Sequence, residues 1–422
     1  MKQLLHTPEG VRDIYNSEYA KKLVVESRIR ETLQSYGYSE LQTPSFEFFD
    51  IFNKERGSVA SREMYKFFDR EGNTLVLRPD MTPPVARCAA KYFMEEPFSI
   101  RLSYLANTFI NHSSYQGRLK EATVQGAELM GDDSSSADGE MVALTVECLL
   151  AAGLKDFQVD VGQVEFFNGL VEEAGLDAET EAHLRELIEE KNFFGVEELV
   201  SGQNLDRRIG EIFLKLPELF GSVKLLETAK ELALNPRMEA AVRRLENLWR
   251  ILKLYGLSDY VSFDLGMLGK FQYYTGIIFR GVTFGMGEPV VSGGRYDGLM
   301  RQFGKDAPAV GFSISIDGLM SALSRQKIPV RTSGTDGILL YDRTREETAI
   351  PLAVRFRKDG KKLQMIRKKE GETLSAYRTY ADRNHVDTLY YLSGKPDEFF
   401  IWEKGSNAAA KADLPELKED TP

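Results

Sequence analysis

Residues 108–131 read TFINHSSYQGRLKEATVQGAELMG. Apolar and β-branched residues flank a polar middle at 112–120, so the stretch predicts two strands joined by a long loop. SIRLSYLANTFIN (99–111) is the first strand of this antiparallel pair and EATVQGAELMG (121–131) the second. Beyond them, 139–152 has helical periodicity and DFQVDVGQ (156–163) has strand character. On the N-terminal side, MYKFFDREGNTLVLRPDMTPP (64–84) predicts a hairpin turning at 71–73, followed by a helix over 84–94. Residues 15–36 bring Ala20, Leu23, Val24, Ile29 and Leu33 to roughly one helical face. Gly37 stands at the C-cap, and Pro44 follows shortly after.

Composition shifts near Phe166. Residues 166–256 are rich in Glu, Leu, Lys and Arg with helical periodicity, and read as a helical region set into the fold. Strand character returns with YVSFDLG (260–266), YYTGIIFRGVTF (273–284) and PVVSGGRYDGLM (289–300). AVGFSISIDGLMSAL (309–323) reads as a strand running into a helix. The polar stretch 325–336 reads as a linker. Beyond it, strands and helices alternate over 336–402, the pattern of a small α/β domain, and 403–422 reads as a frayed, charged tail. The basic residues Arg355, Arg357, Lys358, Lys361 and Lys362, followed by Arg367, Lys368 and Lys369, read as a solvated helix end and strand edge. An RNA patch is the alternative.

The chain has 422 residues, 42% of them hydrophobic, which is enough for more than one packed core. Its net charge of −10 argues against a protein that lives on nucleic acid. Cys88 and Cys148 lack metal-ligand spacing and read as reduced, packed thiols. No apolar h-region opens the chain, and no run of about 18 apolar residues occurs, so a soluble, cytoplasmic protein without membrane contact is expected. His6, His112, His183 and His385 are scattered, and no P-loop or metal cluster is present, so no cofactor is expected.

Six segments in order resemble the class II aminoacyl-tRNA synthetases of the histidyl type. YGYSELQTPSFE (36–47) resembles motif 1, a helix and strand that build a dimer interface. LRPDMTPPVAR (77–87) resembles the turn that holds the substrate amino group. Residues 108–131 resemble motif 2, with Gly117, Arg118, Gly126 and Glu128 in place. QYYTGIIF (272–279) and SGGRYDGL (292–299) resemble the two histidyl signatures, and VGFSISIDGLM (310–320) stands where motif 3 would. Alone, SGGRYDGL is also compatible with a plain turn and YYTGIIF with a core strand; it is their order that carries the likeness. The resemblance spans about 5–325. It implies an α+β fold, an antiparallel class II sheet flanked by helices, within a core over 1–325. The helical insertion lies at about 166–256, and 336–402 resembles a degenerate anticodon-binding domain.

Adenylate formation builds negative charge on phosphate oxygens, and arginines meet that charge in the resembled synthetases. Their positions fall here on Ile110, Gly269 and Gly318. The adenine-contacting glutamate aligns with His112, the motif 3 glutamate with Asp317, a substrate-binding glutamine with Val124 (Gln125 adjacent), and an aspartate with Gln272. Lys270 and Arg280 are the only nearby cationic candidates to replace the arginines. A chain of this kind resembles the synthetase-like regulatory subunits of ATP phosphoribosyltransferase, which are not themselves enzymes. That resemblance implies a short catalytic subunit as partner in a hetero-octamer and a self-dimer through motif 1. It also implies L-histidine as feedback effector of the first step of histidine biosynthesis, with no role for tRNA. The inherited pocket would comprise Asp80, Thr82, Gln125, Glu128, Tyr273, Tyr274 and Tyr296. The alternatives are a divergent active histidyl-tRNA synthetase and a non-catalytic paralogue that senses tRNA or amino acids.

Overall fold

The computed structural model describes residues 5–52, 59–112, 118–203, 205–269, 274–396, 398–406 and 408–415. Two compact units divide the chain, Met1–Val330 and Arg331–Pro422. The first begins with α1 (Asn16–Ser35), β1 (Ser39–Glu40), β2 (Phe46–Phe48), β3 (Lys66–Phe68), β4 (Thr74–Leu77) and α2 (Thr82–Tyr92). The long pair β5 (Ile100–Phe109) and β6 (Glu121–Met130) follows, then α3 (Ser135–Ala152) and β7 (Phe157–Gln163). A helical stretch comprises α4 (Val164–Ala174), α5 (Ala178–Glu189), α6 (Phe193–Ser201) and α7 (Arg207–Lys215), the two-residue strand β8 (Phe220–Gly221), α8 (Leu225–Leu232) and α9 (Pro236–Tyr255). β9 (Val261–Asp264), β10 (Ile277–Thr283), β11 (Val291–Arg295), β12 (Ala309–Ser315) and α10 (Ile316–Arg325) complete it.

The main sheet runs β1-β5-β6-β12-β11-β10-β7-β9-β8. Only β1–β5 and β7–β9 are parallel pairs; the rest are antiparallel. β5 and β6 pair from Ile100↔Met130 to Phe109↔Glu121, as expected of two runs joined at a polar loop. α3 is buried almost all round because α1 and α9 pack on it while it lies against the sheet. Its first turn is capped by the Ser134 side chain, which accepts the Ala137 N–H, and it stops at Gly153 with φ of 105°. It starts ahead of the expected 139 because that cap extends the helix backwards. Likewise α2 starts at Thr82 rather than 84, since a proline in the first turn has no N–H to leave unpaired.

α1 differs more. Its buried face carries Lys22, Val25, Glu26, Ile29 and Leu33, while Leu23 is 47% exposed. The expected stripe is displaced because two charged residues find partners inside. Lys22 Nζ donates to Thr123 Oγ1 at 2.5 Å and lies 3.8 Å from Glu26.

The second unit contains β13 (Gly337–Tyr341), α11 (Glu346–Lys358), β14 (Leu363–Arg367), α12 (Leu374–Arg383), β15 (Thr388–Leu392), β16 (Phe399–Glu403) and β17 (Ala410–Ala412). Its sheet order is β14-β13-β15-β16-β17. Alternation along β13 sends Leu339 into a cluster with Leu352 and Phe356 of α11, and Ile338 and Leu340 into one with Ala381 of α12. Part of the tail expected to fray is therefore ordered. Residues 410–412 pair with the open edge of β16, and Leu414 packs against the α11 cluster.

Candidate functional site: a buried glutamate behind a glycine-floored cavity

The central strands carry glycines where the sheet must leave room. Gly311 on β12 pairs with Glu128 on β6, and a Cβ at Gly311 would meet a Glu128 carboxylate oxygen at 1.6 Å. A Cβ at Gly294 would lie 2.6 Å from the Tyr274 ring, and one at Gly293 would lie 2.4 Å from Phe279. The glycine pair of the second histidyl signature is thus required by close packing and does not form a plain turn. Above this floor is a cavity of about 220 Å³ whose walls include Asp80, Thr82, Ile110, Val124, Tyr274 and Tyr296.

Glu128 lies directly behind Thr82 and Tyr296, 1% exposed. One oxygen accepts the Thr82 hydroxyl at 3.1 Å and the other accepts the Tyr296 hydroxyl. Asp80 accepts the Thr82 N–H at 3.2 Å, so Thr82 links the two acids. Burial pushes the Glu128 carboxyl up to about 8; the charge of Asp80 adds to this, while the two hydroxyls oppose it. Among the described residues no lysine or arginine lines the cavity.

The structure brings Asp80, Thr82, Glu128, Tyr274 and Tyr296 together, and it moves Gln125 elsewhere. Side chains alternate along β6, so Gln125 faces α1, opposite to Glu128. There it is buried, Nε2 donating to the Glu26 carbonyl at 3.2 Å, with Oε1 lacking a hydrogen-bond partner among the described residues. Tyr273, Lys270, Gln272 and Gly117 lie outside the described residues.

Ile110, Gly269 and Gly318, where the resemblance would put synthetase arginines, do not share a cavity. Ile110 is an apolar wall of the 220 Å³ cavity. Gly318 lines a cleft of about 980 Å³ together with His112, Arg118 and Asp317, and its N–H is bound by the Ser315 cap at 3.1 Å. Gly269, with φ of 77°, borders a cleft of about 960 Å³ beside α4 and α5. Arg280 is engaged by Glu189 at the end of α5. Burial alone would raise the Glu189 carboxyl, but Arg280 and the Leu268 and Gly269 N–H groups hold it below the usual carboxylate range. Sequence reading passed over Glu189 because nothing distinguishes it from the other acids of a helical, charge-rich stretch.

Comparison with known proteins fits this geometry. Residues 10–319 match the family model described as histidyl-tRNA synthetase. An ATP phosphoribosyltransferase regulatory subunit of Acetivibrio thermocellus is 42% identical over 84% of this chain and 85% of that protein. One of Ruminiclostridium cellulolyticum is 40% identical over 96% of both chains. The crystal structure of an ATP phosphoribosyltransferase regulatory subunit/histidyl-tRNA synthetase from Bacillus halodurans C superposes with a TM-score of 0.84. It is 31% identical and covers 93% of this chain and 99% of its own. With a class II sheet, an acid-bearing cavity and relatives matched along most of their length, the chain belongs to the family of ATP phosphoribosyltransferase regulatory subunits built on the histidyl-tRNA synthetase fold.

Proposed function

We propose that this chain is the non-catalytic partner of a short ATP phosphoribosyltransferase catalytic subunit. It would be needed for that subunit's activity and for feedback inhibition by L-histidine in the first step of histidine biosynthesis. The observation that carries the reading is the pair Asp80 and Glu128 at a cavity with no lysine or arginine among its described walls. Two acids at a cavity whose described walls carry no lysine or arginine favour an ammonium ligand over phosphate. A cavity of about 220 Å³ suits one amino acid, and Tyr274 and Tyr296 offer aromatic walls to an imidazole.

Loss of synthetase chemistry follows the same logic. An isoleucine and two glycines at 110, 269 and 318 supply no charge to a forming adenylate. Removing even one such donor costs roughly 3–4 kcal/mol of transition-state stabilisation. Arg280 is no substitute while Glu189 engages it. The assembly consistent with this role is a hetero-octamer with the catalytic subunit, with regulatory chains dimerised through motif 1.

The test is ATP phosphoribosyltransferase activity of a short catalytic subunit from the same organism, with and without this chain, across histidine concentrations. Stimulation by the chain, reversed by histidine, is the expected result. Absence of both stimulation and co-purification refutes it, and histidine-dependent pyrophosphate exchange by the chain alone would restore the synthetase reading.

A further inference from the structure

The C-terminal end of α5 holds the segment that lies beside Tyr274, a wall of the cavity. One oxygen of Glu189 accepts the N–H of Leu268 at 2.7 Å and of Gly269 at 3.0 Å, while the other accepts the Arg280 guanidinium. Its side chain is 10% exposed. Two residues on, Lys191 Nζ bonds both oxygens of Asp264 at 3.0 Å and the Pro217 carbonyl at 3.1 Å. Segment 264–269 is therefore pinned at both ends by the terminus of a single helix.

That segment packs directly on the site. At Gly269 a Cβ would come within 3.2 Å of Tyr274 Cδ2, so the backbone there touches the ring. Tyr274 borders the 220 Å³ cavity and also the cleft beside α4 and α5. The Leu268 and Gly269 N–H groups donate to Glu189, which ties the Gly269 backbone beside the ring to the end of α5.

We propose that Glu189 is a positioning residue for the cavity: it fixes segment 264–269 against Tyr274, so that the α5 end of the helical stretch and the cavity ligand are energetically coupled. The proposal rests on the reading of the cavity as an amino-acid site. Coupling of this kind is reciprocal: a partner that shifts α5 changes ligand affinity, and the ligand changes the affinity for that partner.

Full-length protein carrying Glu189→Gln, Glu189→Asp or Glu128→Ala is titrated calorimetrically with L-histidine, alongside thermal unfolding and amide exchange. Glu189→Gln is expected to weaken binding about tenfold. It should speed exchange at the Leu268 and Gly269 amides while the amides of the β5–β6 pair stay as protected as in the unmodified protein. Glu189→Asp keeps the charge opposite Arg280 and recovers part of the affinity. If the Gln variant does not fold, the Asp variant decides, weakened binding supporting the proposal. Unmodified affinity, or weaker binding with unchanged exchange at those two amides, overturns it. Loss in Glu128→Ala but not in Glu189→Gln overturns the role of Glu189 alone. Unmodified affinity in Glu128→Ala, or no histidine binding by the unmodified protein, overturns the site reading and this proposal together.

Discussion

At the scale of single residues, Glu128 is a carboxyl group withdrawn from water and held by two hydroxyls beside a second acid. Its folded pKa is raised from 4.5 to about 8, so the folded chain binds a proton that the unfolded chain releases. The stability this gives is fully present below 4.5 and is lost as pH rises towards 8. Urea unfolding of Glu128→Gln should therefore depend less on pH across that window than unfolding of the unmodified protein. The same sign governs the ligand. An ammonium favours the ionised acid, so histidine binding below pH 8 should release a proton, and affinity should rise by up to about tenfold per pH unit towards 8. Calorimetry in two buffers of different ionisation enthalpy measures the proton directly; uptake instead of release would contradict the assignment. Asp80, Thr82, Tyr274 and Tyr296 were legible as a group because motif order places them. Gln125 was not, since a shift of one position along a strand reverses the face.

At the scale of elements, α3 is tied into the fold by one buried carboxylate. Asp138, in its first turn, accepts Arg295 Nε of β11 at 2.8 Å and Arg244 Nε of α9 at 2.6 Å. Asp138 is fully buried and Arg295 nearly so. Removing one partner from such a group leaves the other as an uncompensated charge. Asp138→Asn should cost about 3–5 kcal/mol in urea unfolding, whereas loss of the exposed-end cap in Ser134→Ala should cost about 1 kcal/mol. Comparable losses in the two variants would mean that Asp297, which already accepts from Arg295 at 3.0 Å, compensates its charge well enough. The helix itself was readable from periodicity, but its cap and its ties to β11 and α9 join positions far apart in sequence. α1 shows the limit of periodicity as well. Its apolar stripe was displaced because Lys22 and Glu26 are buried against β6, where Thr123 supplies a hydroxyl.

At the scale of the whole molecule, the net charge of −10 argues against long-range attraction to nucleic acid. The basic residues of the second unit cluster at the end of α11 and along β14, and Arg357, Lys358, Lys361, Arg367 and Lys369 are exposed. Basic residues at a helix C-terminus meet the negative end of its dipole without needing a ligand. Filter binding of tRNA across a salt series should show weak retention with a shallow slope. A steep loss of binding with rising salt would reveal phosphate contacts and reopen the tRNA-sensing alternative.

The order of motifs along the chain was enough to establish the class II fold and the family, because each motif is a local run of residues whose spacing survives in one dimension. That Ile110, Gly269 and Gly318 carry no charge was equally visible, since residue type needs no coordinates. Tertiary structure alone decided which side chains share a face, that Glu128 stands behind Thr82 and Tyr296, and that Glu189 of the helical stretch holds the segment beside Tyr274. Those relations depend on strand pairing and on contacts across dozens of residues, where burial and electrostatics act through space.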